Sequence, residues 1–368
     1  MLDLLAWSVV FVISVLLILK SASMFVDNLV VIGRTLGISN IILGVTASAI
    51  GTSLPEFGSA LIASLQGEGE LGIGVVVGAN IWNTLGILGI TAIVAGVVKS
   101  DEMSVNRDGV MAVITGLIFF SFISYGYFFS DKTISFVASI IMIVAYVCYF
   151  NVLIKSEKKL QILKLKDGSS QTVDKILVEC DDELKTNNSK STTSDVCEVL
   201  SSDEDKESSL LKTILLSVMG IVGLAIGCEA LVWSIENFGS YFHVPELTMG
   251  LFVLALFTTL PELFVTLTSA IKGLQDISLG TVFGSCIFNI LVGVGVPTLF
   301  VKIPIELESI IFDLPVMIGV MMLILFLMKL NEFKLTRIHG TILLLIYFVY
   351  VVVRLSFIPT LGLHEIYF

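Results

Sequence analysis

The sequence predicts an all-α polytopic membrane protein, with ten transmembrane helices forming two inverted-topology five-helix repeats and with helices 2 and 7 broken. Three observations carry this prediction. The composition is too apolar for a soluble fold, ten apolar runs have spanning length, and one distinctive stretch occurs twice at a constant offset.

Of the 368 residues, 55% are hydrophobic and only 14% are charged, and the mean hydropathy is +0.98. Soluble domains carry about 25% charged and about 45–50% apolar residues. A soluble enzyme of this size has no means of hiding so much apolar surface. The net charge of −11 also excludes a nucleic-acid binder, which needs a basic face. Cys148, Cys180, Cys197, Cys228 and Cys286 are scattered and lack CxxC spacing, so neither a disulfide framework nor a zinc site is expected. The N-terminus, Met1-Leu-Asp, has no basic n-region, so the first apolar run is expected to remain as a span.

A spanning helix needs about 20 mostly apolar residues. Such runs lie near 4–32, 39–65, 72–97, 109–129, 133–154, 210–235, 247–271, 277–301, 310–328 and 336–357. Five precede and five follow a polar stretch, dividing the chain into a first repeat 1–155, a loop 156–209 and a second repeat 210–368. With the N-terminus outside, the inner connections collect Arg34, Lys99, Arg107, the lysines of the long loop, Lys272, Lys329, Lys334 and Arg337. The outer connections hold only Lys132 and Lys302, while Lys20 and Arg354 fall inside spans. The positive-inside rule then places both termini outside and the loop in the cytoplasm, with the plasma (inner) membrane as the expected location. The loop carries 13 acidic residues against eight lysines and has too little to bury, which reads as disorder. The competing reading is a cation sensor built on Asp181, Asp182 and Glu183 or on Asp203, Glu204 and Asp205, although no EF-hand spacing is present. Protein partners of the loop are unknown.

The segment GVTASAIGTSLPEFGSALIASLQG from Gly44 resembles GLFVLALFTTLPELFVTLTSAIKG from Gly250, an offset of 206 positions. Kept without gaps, that offset pairs Thr52 with Thr258, Pro55 with Pro261, Glu56 with Glu262, Gly78 with Gly284 and Asn83 with Asn289. Two apolar helices that merely share Leu and Ile would not supply the paired Thr, Pro, Glu and Asn. The offset spans five helices, an odd number, so the second copy is upside down relative to the first. Inverted repeats of this kind are typical of secondary transporters, whose sites lie near mid-membrane where the repeats meet.

Glu56 and Glu262 sit inside apolar spans, where a carboxylate costs at least about 2.5–3.5 kcal/mol and by default marks an ion or proton path. Brought together at the two-fold axis they would repel, and a divalent cation would remove the repulsion. Pro55 and Pro261 each remove a backbone N–H and weaken a helical turn, freeing the carbonyls of Gly51 and Phe257 and turning in those near Ala49 and Ala255. Broken helices are tolerated at this depth where they line a cavity. Ala49, Thr52 and Glu56 share one helix face, as do Ala255, Thr258 and Glu262, and Ser53 and Thr259 add one hydroxyl per copy. Ser285 and Asn289 lie four apart on the eighth span, where Ala79 and Asn83 hold the matching places on the third. This inventory is all oxygen, which suits Ca²⁺ and Na⁺, whereas soft metals want thiolate or imidazole. His243 and His364 lie in outer segments and His339 near the inner end of the tenth span, and no cysteine is expected to bind an ion.

Blander readings stand beside these. The glutamates could be a structural pair, the asparagines could only join helices by hydrogen bonds, and Ser and Thr often bond their own i−4 carbonyl. The glycines at 74, 78, 86, 89, 280, 284, 293 and 295 read as close-packing positions, and Trp82 and Phe288 as a symmetric packing pair. Asp27 and Glu229 read as interfacial groups rather than as the lining of an entry path.

At these residues the sequence resembles the sodium/calcium exchanger superfamily of Ca²⁺:cation antiporters, in its short ten-helix prokaryotic form. That family carries G-T/S-S-x-P-E/D on helices 2 and 7 and G-S-x-x-x-N/D on helices 3 and 8. Here they read Gly51-Thr-Ser-Leu-Pro-Glu56, Phe257-Thr-Thr-Leu-Pro-Glu262, Gly78-Ala-Asn-Ile-Trp-Asn83 and Gly284-Ser-Cys-Ile-Phe-Asn289. The resemblance implies that Glu56 and Glu262 share Ca²⁺, with Thr52, Thr258 and the carbonyls of Ala49 and Ala255 completing the site. It implies flanking Na⁺ sites from Ser53, Thr259, Ser285 and Asn83, and sliding of helices 1 and 6 against the remaining bundle. Three departures stand out: Ala79 replaces a serine, Phe257 replaces a glycine, and Asn289 stands where potassium-dependent members carry aspartate. The last argues against K⁺ co-transport.

The expected function is therefore exchange of Ca²⁺ for Na⁺ across a lipid bilayer, with the transported ions as the only small partners and no cofactor. A proton-coupled antiporter of Ca²⁺ or another divalent cation is the alternative. A cation channel or sensor is the non-transporting one. No nucleophile, metal-water or phosphate motif points to an enzyme, and no nucleic acid is expected as a partner.

Overall fold

The computed structural model describes residues 2–35, 50–100, 102–166, 206–273 and 275–356. The described chain is nearly all helix. The first half contains α1 (Leu2–Thr35), α2 (Leu54–Gln66), α3 (Gly69–Ile81) continuing through a π-helical segment Trp82–Ile87 into α4 (Leu88–Ala95), α5 (Val110–Phe129) and α6 (Phe136–Lys166). The second contains α7 (Lys206–Phe242), α8 (Glu246–Met249) continuing through a π segment Gly250–Leu254 into α9 (Ala255–Thr258), α10 (Leu260–Ile271), α11 (Gln275–Leu291), α12 (Pro297–Phe300), α13 (Leu314–Leu330) and α14 (Arg337–Ser356). Among the described residues, seven helices are long and apolar enough to cross a membrane. The α8–α10 stretch makes an eighth if its two pieces, bent by 46°, count as one span. The other two expected spans are a shorter apolar helix in α11 and α2, whose upstream half lies outside the described residues.

Several boundaries differ from those read in the sequence. The fifth and sixth spans run on as helix to Lys166 and back to Lys206, so the flanks of the polar loop are helical rather than irregular. Their Lys, Glu and Leu are strong helix formers, and a helix need not stop where its apolar run does. The loop between these helices, with the acidic triplets considered as a sensor, lies outside the described residues. The eighth span stops short, at Leu291, and turns through 292–296 before Pro297 opens α12. Gly293, Gly295 and Pro297 punctuate it there.

The connections show the inversion. Val97–Lys99 pairs antiparallel with Lys334–Thr336, joining the connection after the third span to that before the last. At the repeat-related place, Ile305 N–H donates to Lys132 O at 2.9 Å and Ile134 N–H to Ile303 O at 3.3 Å, with Thr133 bridged to Pro304. The same swap is thus made once on each face.

Buried polar clamps follow this symmetry. Tyr149 of α6 donates to Asp108 at 3.1 Å, and Arg107 holds the same carboxylate at 2.7 Å while bonding Ser156 at 2.8 Å. In the second half Tyr350 of α14 donates to Asp313 at 2.9 Å, and Arg354 bridges Asp313 at 3.2 Å and Glu308 at 2.7 Å. Arg354 is therefore tolerated inside a span because two carboxylates meet it there.

The apolar interior falls into two clusters. One, with Ile81, Leu88, Phe119, Phe283, Met317 and Leu343 among its members, fills the bundle of α3–α6 and α11–α14. The other lies along α1 and α7, where Ile18 and Ala22 pack against Leu224, Cys228 and Leu231. Outward faces of that pair, such as Leu5, Val12 and Leu16, are more than half exposed, as a lipid-facing surface requires. Gly74 and Gly78 let α3 lie against the other half: a Cβ at either would collide with the backbone of Leu247 or Leu251. The close-packing role expected of these two glycines is what the structure shows. Trp82 likewise packs on Tyr347 (4.8 Å between centroids) and Phe288 on Tyr146 (5.6 Å).

Candidate functional site

Each repeat breaks its second helix at the same place. Ser53 (φ −88°, ψ 4°) and Thr259 (φ −81°, ψ 8°) leave helical geometry at equivalent positions, one residue before Leu54 and Leu260 open the next helix. Pro55 and Pro261 are the physical cause: a proline is at home in a first helical turn and cannot continue a previous one. The break places Glu56 and Glu262 in the first turns of α2 and α10, where N-terminal amides favour an anion.

Both carboxyl groups are fully buried, and they face each other across the two repeats. Their surroundings differ. Glu262 Oε1 accepts from Ser53 Oγ at 2.9 Å and from Ser285 Oγ at 3.4 Å, with the Thr52 hydroxyl close by. Among the described residues, no hydroxyl or amide side chain donates to either oxygen of Glu56. Its surroundings include a thiol: Cys228 Sγ of α7 lies over the same turn and donates to Pro55 O at 3.8 Å. Nothing in the residue pattern points to a cysteine at this place.

The hydroxyls of the second repeat turn back on their own helix. Thr258 Oγ1 donates to Leu254 O at 3.0 Å and Ala255 O at 3.2 Å, and Thr259 Oγ1 to Ala255 O at 2.8 Å. The Thr259 N–H adds a third donor to Ala255 O, at 3.1 Å. The Ala255 carbonyl expected to turn inward is therefore satisfied within its helix in this structure, by the local bonding Thr often makes. Ala49, its counterpart, lies outside the described residues.

Asn83 is fully buried, and neither end of its amide has a hydrogen-bond partner. Asn289, also fully buried, donates through Nδ2 to Asn80 Oδ1 at 3.3 Å and leaves Oδ1 unpartnered. Asn80 escaped the sequence reading because its repeat mate is Cys286, so the offset comparison shows no match. The signal available was an amide inside an apolar run, three residues before Asn83. Unbonded buried amides and carboxylates are costly, and here they concentrate on Glu56, Glu262, Asn83 and Asn289. A cation ringed by such oxygens would supply the missing partners. Among the described residues no three of His, Cys, Asp and Glu group closely enough to hold a metal ion, and the acidic groups at the two helix breaks are the carboxyls of Glu56 and Glu262.

At one edge of the fold, outside the spans, Glu306 meets Glu70, and burial first and the neighbouring carboxyl second push its pKa up to about 9. Asp27 is bonded by Ser23 at 3.2 Å on its own helix.

A family model described as sodium/calcium exchanger protein matches residues 7–155 and 212–356. The sodium/calcium exchanger MaX1 of Methanosarcina acetivorans is 28% identical over 338 residues, spanning 91% of this chain and 95% of that protein. The putative antiporter CaxA of Alkalimonas amylolytica is 27% identical over 342 residues, with 92% and 95% covered. Among solved structures, the sodium-calcium exchanger NCX_Mj soaked with Na⁺ and Sr²⁺ superposes with a TM-score of 0.58 at 22% identity, over 95% of this chain and 98% of that one.

Proposed function

The chain belongs to the sodium/calcium exchanger family, and on that premise we propose that it is a secondary antiporter exchanging Ca²⁺ for Na⁺ by alternating access. The observation that carries the reading is the pair of fully buried carboxyls, one from each inverted repeat, facing each other at matching helix breaks. Ca²⁺ sits between Glu56 and Glu262, with Thr52, Thr258 and the carbonyls of Ala49 and Ala255 as further oxygens. Ser53, Thr259, Ser285, Asn83 and Asn289 serve the flanking Na⁺ positions. For Ala255, Thr258 and Thr259 to act as ligands, the helix around α9 must loosen its local bonds as an ion enters. The adjoining π segment, Gly250–Leu254, is a place where a helix is already wider and weaker.

Coupling follows from electrostatics. The two ions use overlapping oxygens, so each excludes the other. A site holding either ion can turn over, whereas an empty one leaves carboxylates unpaired in a low dielectric and is penalised. The α1–α7 pair, which shares an apolar cluster with α2, α3 and α8, is the body that slides past the bundle and exposes the site to one side and then the other. The first repeat is 1–155 and the second 210–368. Both termini lie outside and the 156–209 loop in the cytoplasm, the membrane being the plasma (inner) membrane.

The deciding experiment is Ca²⁺ uptake into proteoliposomes under an outward Na⁺ gradient or a pH gradient, each imposed alone. Drive by Na⁺ supports exchange of Na⁺. Drive by protons alone moves the protein to the second reading, favoured by two buried carboxyls lying close together, each of which can take a proton in place of a cation.

A further inference from the structure

Asn289 is a site position whose chemistry depends on which way its amide points. Its carbonyl oxygen attracts a cation and its NH₂ repels one. It lies one helical turn beyond Ser285, whose hydroxyl reaches Glu262, and so shares the face of α11 that looks into the candidate site.

Asn80, across the repeat boundary on α3, fixes that orientation. Its side chain is fully buried and has three polar neighbours. Nδ2 lies 3.3 Å from Cys286 O and 3.8 Å from Met317 Sδ. Oδ1 lies 3.3 Å from Asn289 Nδ2. A backbone carbonyl and a thioether can only accept. Asn80 therefore has to present its NH₂ to both, because the flipped amide would set an oxygen against two acceptors. Its own oxygen then faces Asn289, which must answer with NH₂. What remains of Asn289 is Oδ1, buried and without a donor. The polarity of the whole relay is set by one main-chain carbonyl, that of Cys286, which is also the repeat mate of Asn80.

We infer that Asn80 is a positioning residue that holds the Asn289 carbonyl oxygen toward the ion site and thereby makes a neutral amide serve as a cation ligand. The inference rests on the exchange reading for the identity of the ions, but not on which ion is coupled. Without Asn80, Asn289 gains a rotamer and an amide flip, and its NH₂ can turn to the Glu262 carboxyl and occupy the place of a cation.

The test is equilibrium binding of radioactive Ca²⁺, with and without competing Na⁺, to the purified full-length protein, alongside Na⁺-driven uptake in proteoliposomes. Asn80→Ala is expected to weaken ion binding by about three- to tenfold, the worth of one hydrogen bond to a ligand, with maximal uptake at saturating ions kept. Asn289→Ala is expected to weaken binding similarly, and adding Asn80→Ala to it to change nothing further, since Asn80 acts only through Asn289. Asn80→Asp, protonated in this buried place so that its O–H donates to Cys286 O, retains an acceptor against Asn289 Nδ2 and is expected to bind more tightly than Asn80→Ala. The same contrast with Asn289→Ala stands even if Asn80→Ala fails to fold. Multiplying effects in the double variant, unchanged binding in Asn80→Ala, or equal losses in Asn80→Ala and Asn80→Asp would overturn the inference. Ca²⁺ binding that follows these predictions, without Na⁺-driven uptake in the parent, would instead overturn the exchange reading and leave the positioning role in place.

Discussion

The two halves of the site share a backbone but not a hydrogen-bond pattern. Glu262 is bonded by hydroxyls from Ser53 and Ser285, whereas among the described residues Glu56 takes none. Two sequence differences account for this. Ser53 turns across to the opposite carboxylate, while its mate Thr259 bonds back to Ala255. Ser285 reaches Glu262, while its mate is Ala79, which has no hydroxyl to offer. Inversion thus copies the helix break, set by Pro55 and Pro261, but side chains decide how each carboxylate is held. Glu262 is the better bonded of the two, with one oxygen still without a donor, and among the described residues both Glu56 oxygens lack one.

The sharpest way to break this comparison is to neutralise either carboxyl. Glu56→Gln or Glu262→Gln removes a buried charge partner, worth about 3–5 kcal/mol, and Ca²⁺ uptake should fall by more than about a hundredfold. The same magnitude applies to stability at the second clamp. Arg354→Met leaves Asp313 and Glu308 unpaired in the interior, and thermal unfolding in detergent should show a loss of about 3–5 kcal/mol. Tyr149→Phe and Tyr350→Phe, each removing one hydrogen bond to a buried aspartate, should each cost about 1–2 kcal/mol by the same measurement.

Smaller changes sharpen the asymmetry. Ser285→Ala makes the second half resemble the first and should raise the Na⁺ concentration for half-maximal uptake by about three- to tenfold. Ala79→Ser does the reverse by offering Glu56 a hydroxyl, and should lower it by a similar or smaller factor. The smallest effect is expected at the edge of the fold. Because the pKa of Glu306 is raised to about 9, its neutral form is the folded one's preference, so stability falls as pH climbs from the ordinary carboxylate range through about 9. Melting temperatures of Glu306→Gln should be flatter over that window than those of the parent.

Much of this arrangement was legible in the sequence. The spans follow from apolar length, and the inversion follows from an odd number of helices between paired motifs. The facing of Glu56 and Glu262 follows from that symmetry. What escaped was local or asymmetric. The helical extensions to Lys166 and from Lys206 carry no apolar signal, and the three-residue strands at Val97–Lys99 and Lys334–Thr336 are too short to show a period. Whether a threonine bonds its own helix or a neighbour is a rotamer choice, which spacing does not encode, and Thr258 and Thr259 chose the helix. Asn80 was hidden because its mate is a cysteine, and Cys228 because its contact with the Pro55 turn depends on how α7 lies against α2.

The central claim is that one buried pair of glutamates couples two ions. Its most direct test is radioactive Ca²⁺ uptake into proteoliposomes loaded with Na⁺ and diluted into Na⁺-free buffer at matched pH. Uptake that requires the outward Na⁺ gradient and vanishes in Glu262→Gln is the predicted result. Uptake indifferent to Na⁺, or surviving unchanged in Glu262→Gln, would contradict it.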